Sequence, residues 1–188
     1  MSEYNPYTRG PHPVGTRQFS WTDTERNHSL PVDVWYPATK AYEGKDFDPA
    51  TQDHYEMVPG MGEAVQQAVK DAEEESGQRA LVVFSHGFGG ERRQTTFLCC
   101  HLASHGYVVA AMDHVGNTAV DMLSGEGAAG DPEVIERFIQ SRPCDASFVI
   151  DQMLAGKSGL EIIPDQIGMS GHSFGGWTTL KSLETDER

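Results

Sequence analysis

Two uninterrupted apolar runs constrain this chain more than any other feature. "RALVVFS" at Arg79–Ser85 and "YVVAAM" at Tyr107–Met112 have the length of strands but lack the apolar–polar alternation of a sheet with one wet face. Such runs suit strands covered on both faces. Between them, "GERRQTTFLCCHLASHG" reads as a helix with Phe97, Leu98 and Leu102 turned inward and Gly106 placed to end it. Farther on, "DPEVIERFIQ" reads as a short helix with Pro132 in its first turn, and "RPCDASFVIDQMLAG" as a second helix capped near Gly156. "DQIGMSGH" then carries Ile167 and Met169 at alternate positions, the period of a strand, and Trp177, Leu180 and Leu183 follow at helical spacing. Strand and helix alternate from Arg79 onward, which predicts an α/β fold: a mostly parallel sheet with helices on both faces.

The first part of the chain is different. "TRQFSWTD" and "SLPVDVWYPA" read as two strands, the second closed by Pro37. Residues 40–78 form a polar, acidic insertion, within which "GEAVQQAVKDAEEE" is predicted to be a surface helix. The stretch from Gly116 to Gly130 is glycine-rich and reads as irregular. Residues 1–188 are expected to form a single domain.

Charge limits the partners. The 28 acidic residues outnumber the 14 basic ones, for a formal net charge of -14. Phosphate backbones and anionic lipid surfaces would be repelled, so nucleic acid is not expected as a partner. No apolar run is long enough for a membrane span, and the start of the chain lacks the basic and apolar regions of a signal peptide. The expectation is a cytoplasmic protein, or a secreted one whose leader has been removed. The three cysteines do not make a disulfide framework: Cys99 and Cys100 lie in the apolar helix, and Cys144 has no metal-ligand spacing to a partner.

"MSGHSFGG", Met169–Gly176, is where chemistry enters. Gly171-His172-Ser173-Phe174-Gly175 fits G-x-S-x-G, a pattern with meaning only where a strand runs into the serine and a helix runs out. The flanks predict both. A serine hydroxyl is a poor nucleophile without a base, and acyl transfer needs donors aimed at the oxyanion. The Phe174 amide, at the start of a helix, is one candidate donor; the Phe88 amide in "SHGFGG", after the first apolar strand, is the other.

"FSHGFGG", "GHSFGG", "LPVDVWYPA" and "AAMDH" together resemble the α/β-hydrolase superfamily, and within it the platelet-activating-factor acetylhydrolase and dienelactone-hydrolase-like serine esterases. The resemblance runs from about Pro11 to the end of the chain. It implies an α/β-hydrolase fold, Ser173 as nucleophile, the amides of Phe88 and Phe174 as oxyanion hole, and short-chain acyl esters, including acetylated lipids, as substrates. Some relatives cut polyesters, so a polyester or cutin-type hydrolase is the alternative activity. No cofactor or metal is implied. The family's acid and histidine follow the serine, yet Phe174 to Arg188 contains Glu184, Asp186 and Glu187 and no histidine. The expectation is an N-terminal part of a longer hydrolase, cut short after the helix that follows Ser173, with the late strands, the triad aspartate and the histidine in a complementary C-terminal chain or missing. A non-catalytic scaffold awaiting such a chain is the reading from another class.

Upstream histidines fit the base poorly. His172 should point away from Ser173 along the strand. His86 suits holding the oxyanion loop by hydrogen bonding, and His114, directly after Asp113, suits substrate contact or loop packing. His101 and His105 have the spacing of two zinc ligands, but Leu102 stands where H-E-x-x-H has its glutamate. "GFGGER" lacks the third glycine of a dinucleotide turn. Of Trp35, Tyr36, Phe88, Phe174 and Trp177, only Phe88 and Phe174 are placed near the serine by the motif.

Overall fold

Side chains of a strand alternate between the two faces of its sheet, and this decides what each apolar run covers. The computed structural model describes residues 5–125 and 130–188. Its elements are β1 (Val14–Asp23), β2 (His28–Pro37), β3 (Asp53–Glu56), β4 (Glu63–Gln66), β5 (Val69–Lys70), β6 (Arg79–Ser85), α1 (Thr96–Ser104), β7 (Val108–Met112), α2 (Ala119–Ser124), α3 (Pro132–Leu154), β8 (Ile162–Gly171) and α4 (Phe174–Thr185). A six-stranded sheet runs in the order β5-β1-β2-β7-β6-β8. β6 pairs in parallel with β7 and β8, and β1 with β5, whereas β2 is antiparallel to both β1 and β7.

Leu81 and Val83 of β6, with Val108, Ala110 and Met112 of β7, face Val149, Ile150 and Met153 of α3. Val109 and Ala111 point the other way, with Trp35 and Phe84, onto Cys99, Cys100 and Ala103 of α1. Both faces are covered, which is why β6 and β7 are apolar throughout.

Four local expectations are corrected. The insertion is not helical where "GEAVQQAVKDAEEE" predicted it: Glu63–Gln66 pairs antiparallel with β3, and Val69–Lys70 adds to the main sheet. Helix formers are overruled there by a buried link, in which the Trp35 indole donates to Gln66 Oε1 and Gln66 Nε2 donates to Asp53 Oδ2, each at 2.6 Å. The two helices expected from Asp131 to Gly156 are one, α3, with Pro143 inside it. Its continuous buried face outweighs the backbone hydrogen bond that proline removes. Phe97 is 76% exposed and does not turn inward; Leu98 and Leu102 do, half-buried against Cys99, Cys100 and Ala103 of α1. The stretch from Gly116 to Gly130 holds α2, started by a capping box between Thr118 and Asp121; its residues 126–129 lie outside the described residues.

On α4 the buried positions are Gly175, Thr178 and Ser182, while Leu180 and Leu183 are exposed. No helix among the described residues is long and apolar enough to cross a membrane.

Candidate active site

Three chain segments meet beyond the carboxyl ends of β6, β7 and β8, the edge where open α/β sheets gather ligands. They are the loop from His86 to Gly90, the loop from Asp113 to Asn117, and the turn at Ser173.

β8 ends at Gly171 and α4 begins at Phe174, which leaves His172 and Ser173 to reverse the chain. Ser173 has φ 53° and ψ -114°, a left-handed conformation that costs a non-glycine residue on the order of 1–3 kcal/mol. Packing holds it there. A Cβ on Gly175 would lie 1.9 Å from the Ser85 carbonyl oxygen, and one on Gly171 2.2 Å from the Gly175 carbonyl, so both glycines are required by close approach. Ser173 is solvent-exposed, and no side chain among the described residues hydrogen-bonds its hydroxyl.

Gly87 to Gly90 forms a turn closed by the Gly90 amide on the Gly87 carbonyl at 3.1 Å, with Gly89 at φ 62°. Phe88 occupies its second position. Among the described residues neither the Phe88 nor the Phe174 amide donates to a protein acceptor. Gln94 ties loop to turn: its Oε1 accepts from the Gly87 amide at 2.9 Å and its Nε2 donates to His172 Nδ1 at 3.0 Å. The His172 ring is thus engaged with Gln94. Phe88 packs edge-on against Phe138 at 6.0 Å and lies 6.1 Å from Phe174, which stacks on Trp177 at 5.4 Å. Trp35 and Tyr36 are fully buried and far down the sheet.

Beneath this exposed turn lies a sealed polar cluster. The imidazole of His86 donates from Nδ1 to the Gly87 carbonyl at 2.6 Å and accepts the His114 amide on Nε2 at 3.1 Å, joining the ends of β6 and β7. His114 bonds Ser85 Oγ through Nε2 at 2.9 Å and Asp145 Oδ2 through Nδ1 at 2.8 Å. Ser85, His114 and Asp145 therefore have the connectivity of a catalytic triad, but they are 0%, 1% and 1% exposed, so no ester can reach that serine.

Burial pushes His114 down to about 4, helped by the Arg142 guanidinium, while Asp145 opposes the shift. His86 is held well below its ordinary value by burial, with the neighbouring His114 ring and the Arg142 guanidinium disfavouring its protonation further. Both imidazoles are neutral at pH 7, so the His114–Asp145 contact is a hydrogen bond from a neutral ring to a carboxylate and not an ion pair. Burial raises Asp145, but His114 and the Arg26 guanidinium outweigh it and leave the carboxylate below its usual range. Asp113, at the end of β7, accepts the Arg92 amide at 2.7 Å and fastens the loop after β6. His101 and His105 each place Nε2 against a carbonyl, of Pro6 and Thr8, at 2.8 Å.

Sequence reasoning missed Gln94, Arg142 and Asp145. Arg142 and Asp145 lie three apart on α3, one helical face, but polar residues on a helix ordinarily mark its wet side. A signal existed only in their flanks, Phe138, Ala146 and Val149, which share that face.

The platelet-activating factor acetylhydrolase, isoform II, family matches this chain over residues 54–124, from β3 through the Phe88 loop to α2. A platelet-activating factor acetylhydrolase of Canis lupus familiaris is 32% identical over 57% of this chain and 32% of its own length. Its counterpart in Gallus gallus is 25% identical over 97% of this chain and 57% of its own length. Among solved structures, a ferulic acid esterase from Streptomyces cinnamoneus superposes with a TM-score of 0.77 and 28% identity, over 97% of this chain and 58% of that one. The chain is of α/β-hydrolase fold, as an esterase of that fold is. It spans about a third to somewhat over half of the relatives it matches.

Proposed function

We propose that this chain carries the nucleophile and oxyanion site of a serine carboxylester hydrolase acting on small-molecule esters with short acyl groups. Ser173 Oγ attacks the ester carbonyl and forms an acyl-enzyme. The amides of Phe88 and Phe174 receive the negative charge of the tetrahedral intermediate, and water then releases the acid. The observation that carries this reading is the exposed serine held at φ 53° between two glycines that tolerate no side chain, beside two amides with no protein acceptor among the described residues. Similarity to acetylhydrolases over the Phe88 loop supports the same reaction class.

The proton shuttle completes the proposal. No imidazole among the described residues bonds Ser173 Oγ, so the histidine and the acid that orients it belong to polypeptide outside these 188 residues, in the same protein or in a complementary chain. Residues 1–188 belong to one hydrolase unit, with residues 40–78 as an insertion.

A fluorophosphonate probe tests this in the full-length protein. Adduct formation at Ser173, located by peptide mass spectrometry and blocked by p-nitrophenyl acetate, is the expected result. Adduct on another residue, or none, refutes it. A second reading, esters of an aromatic acid, is favoured by the Phe88, Phe138, Phe174 and Trp177 cluster and by likeness to the ferulic acid esterase. A higher kcat/KM on methyl ferulate than on p-nitrophenyl acetate would select it.

A further inference from the structure

Arg142 lies on α3, fully buried, against the first turns of the helix that follows Ser173. Its Nε donates to Thr178 Oγ1 of α4 at 3.1 Å, Nη1 to Asn117 Oδ1 at 2.5 Å, and Nη2 to Ser85 Oγ at 3.1 Å and to the His86 carbonyl. The guanidinium also stacks 4.7 Å from the Phe174 ring centroid. One side chain thus grips the helix that starts at Phe174, the strand end that leads to Phe88, and the loop after β7.

Every one of those acceptors is neutral. Burying a cation is costly, and proteins normally relieve the cost with a carboxylate. The Asp145 carboxylate favours the charged form of Arg142 through space but makes no hydrogen bond or ion pair to it; its oxygens are engaged by Arg26 at 2.6 Å and His114 at 2.8 Å. Asn117 sharpens the point. Its Nδ2 is buried without a hydrogen-bond partner among the described residues, the penalised state for an amide. An aspartate at 117 would keep the acceptor for Nη1, abolish the orphaned donor and neutralise the guanidinium. The chain carries the amide instead.

Resting on the esterase reading, we propose that Arg142 is a positioning residue whose charge, held without a direct ion pair against the segments that carry the Phe88 and Phe174 amides, favours the oxyanion that forms on them. The four hydrogen bonds fix the spacing of the two amides. The charge acts through low-dielectric protein, where a fixed cation is felt strongly by negative charge that develops only in the transition state. The ground-state ester is uncharged and gains little, so the effect belongs in kcat and not in KM.

Asn117→Asp in the full-length protein tests this, with p-nitrophenyl acetate turnover and thermal unfolding measured together. The expected result is a kcat lower by about 10–100-fold, KM within about 3-fold, and a thermal midpoint equal to or above wild type. A purely structural Arg142 would profit from the new ion pair and lose no turnover, so wild-type kcat in Asn117→Asp overturns the proposal. Should Asn117→Asp not fold, Arg142→Lys and Arg142→Met decide: a kcat at least about tenfold higher for the charge-retaining lysine at similar KM supports it, and equal values overturn it. Absence of Ser173-dependent turnover in the wild-type protein is a different failure. It removes the esterase reading and this inference with it.

Discussion

Two serines in this protein sit within a few residues of glycine turns, and they are opposites. Ser85 has the histidine and the aspartate that a nucleophile is supposed to have, in good hydrogen-bond geometry, and is closed to solvent. Ser173 is exposed, held in a left-handed conformation and set beside two amides, and among the described residues neither it nor those amides has such a partner. Hydrogen-bond connectivity alone therefore does not mark a nucleophile. Access and a backbone that aims the hydroxyl outward discriminate better, because a sealed Ser-His-Asp set satisfies buried polar groups at no catalytic gain.

The difference between the two serines has its largest consequence at Ser173. Ser173→Ala should reduce ester turnover in the full-length protein by about 10⁴-fold with its thermal midpoint unchanged, as assayed with p-nitrophenyl acetate. Loss of a tenth of the activity or less would move the nucleophile elsewhere. Next in size is the packing between the two regions. Gly175→Ala puts a methyl into the Ser85 carbonyl, and denaturant unfolding should show a loss of about 4 kcal/mol or more.

Ser85→Ala sharpens the contrast from the buried side. It orphans the His114 Nε2 acceptor and takes one acceptor from Arg142, so unfolding in urea should show about 3 kcal/mol of lost stability. A loss below about 0.5 kcal/mol would mean that the cluster is not a structural unit.

The smallest effect concerns Glu91, just past the Phe88 loop. It is almost fully buried, its Oε1 has no hydrogen-bond partner among the described residues, and burial with the charge of Asp113 raises its carboxyl to about 7 against the pull of Arg92 and Arg93. An acid whose folded value lies above its unfolded one costs stability once it ionises. The penalty is absent below the unfolded value near 4.5 and complete above about 7. Glu91→Gln should therefore stabilise by about 1–2 kcal/mol at pH 8 and by almost nothing at pH 4.5, as read from unfolding curves at the two pH values. An equal gain at both would exclude the titration of Glu91 as its cause.

Legibility in the sequence followed the physics of burial. β6, β7 and β8, and the turn at Ser173, announced themselves because apolar runs and obligatory glycines are local signals. Arg142 and Asp145 did not, since a buried ion and a solvated one look alike in a string of letters. Gln66 shows the converse: in "GEAVQQAVKDAEEE" it counts as a helix former, yet it is buried between Trp35 and Asp53 in a strand. Pro143 likewise reads as a break, and only the packing of α3 on the sheet carries the helix through it.

By itself the sequence determined the α/β alternation, the two-sided burial of the central strands and the glycine-flanked serine. Each follows from steric and hydrophobic rules that act within a few residues. Only the tertiary structure decided which serine meets solvent and that the buried Arg142 guanidinium is held by neutral acceptors. Those depend on distances between side chains from α3, α4 and three strand ends, which are far apart along the chain and brought together by packing alone.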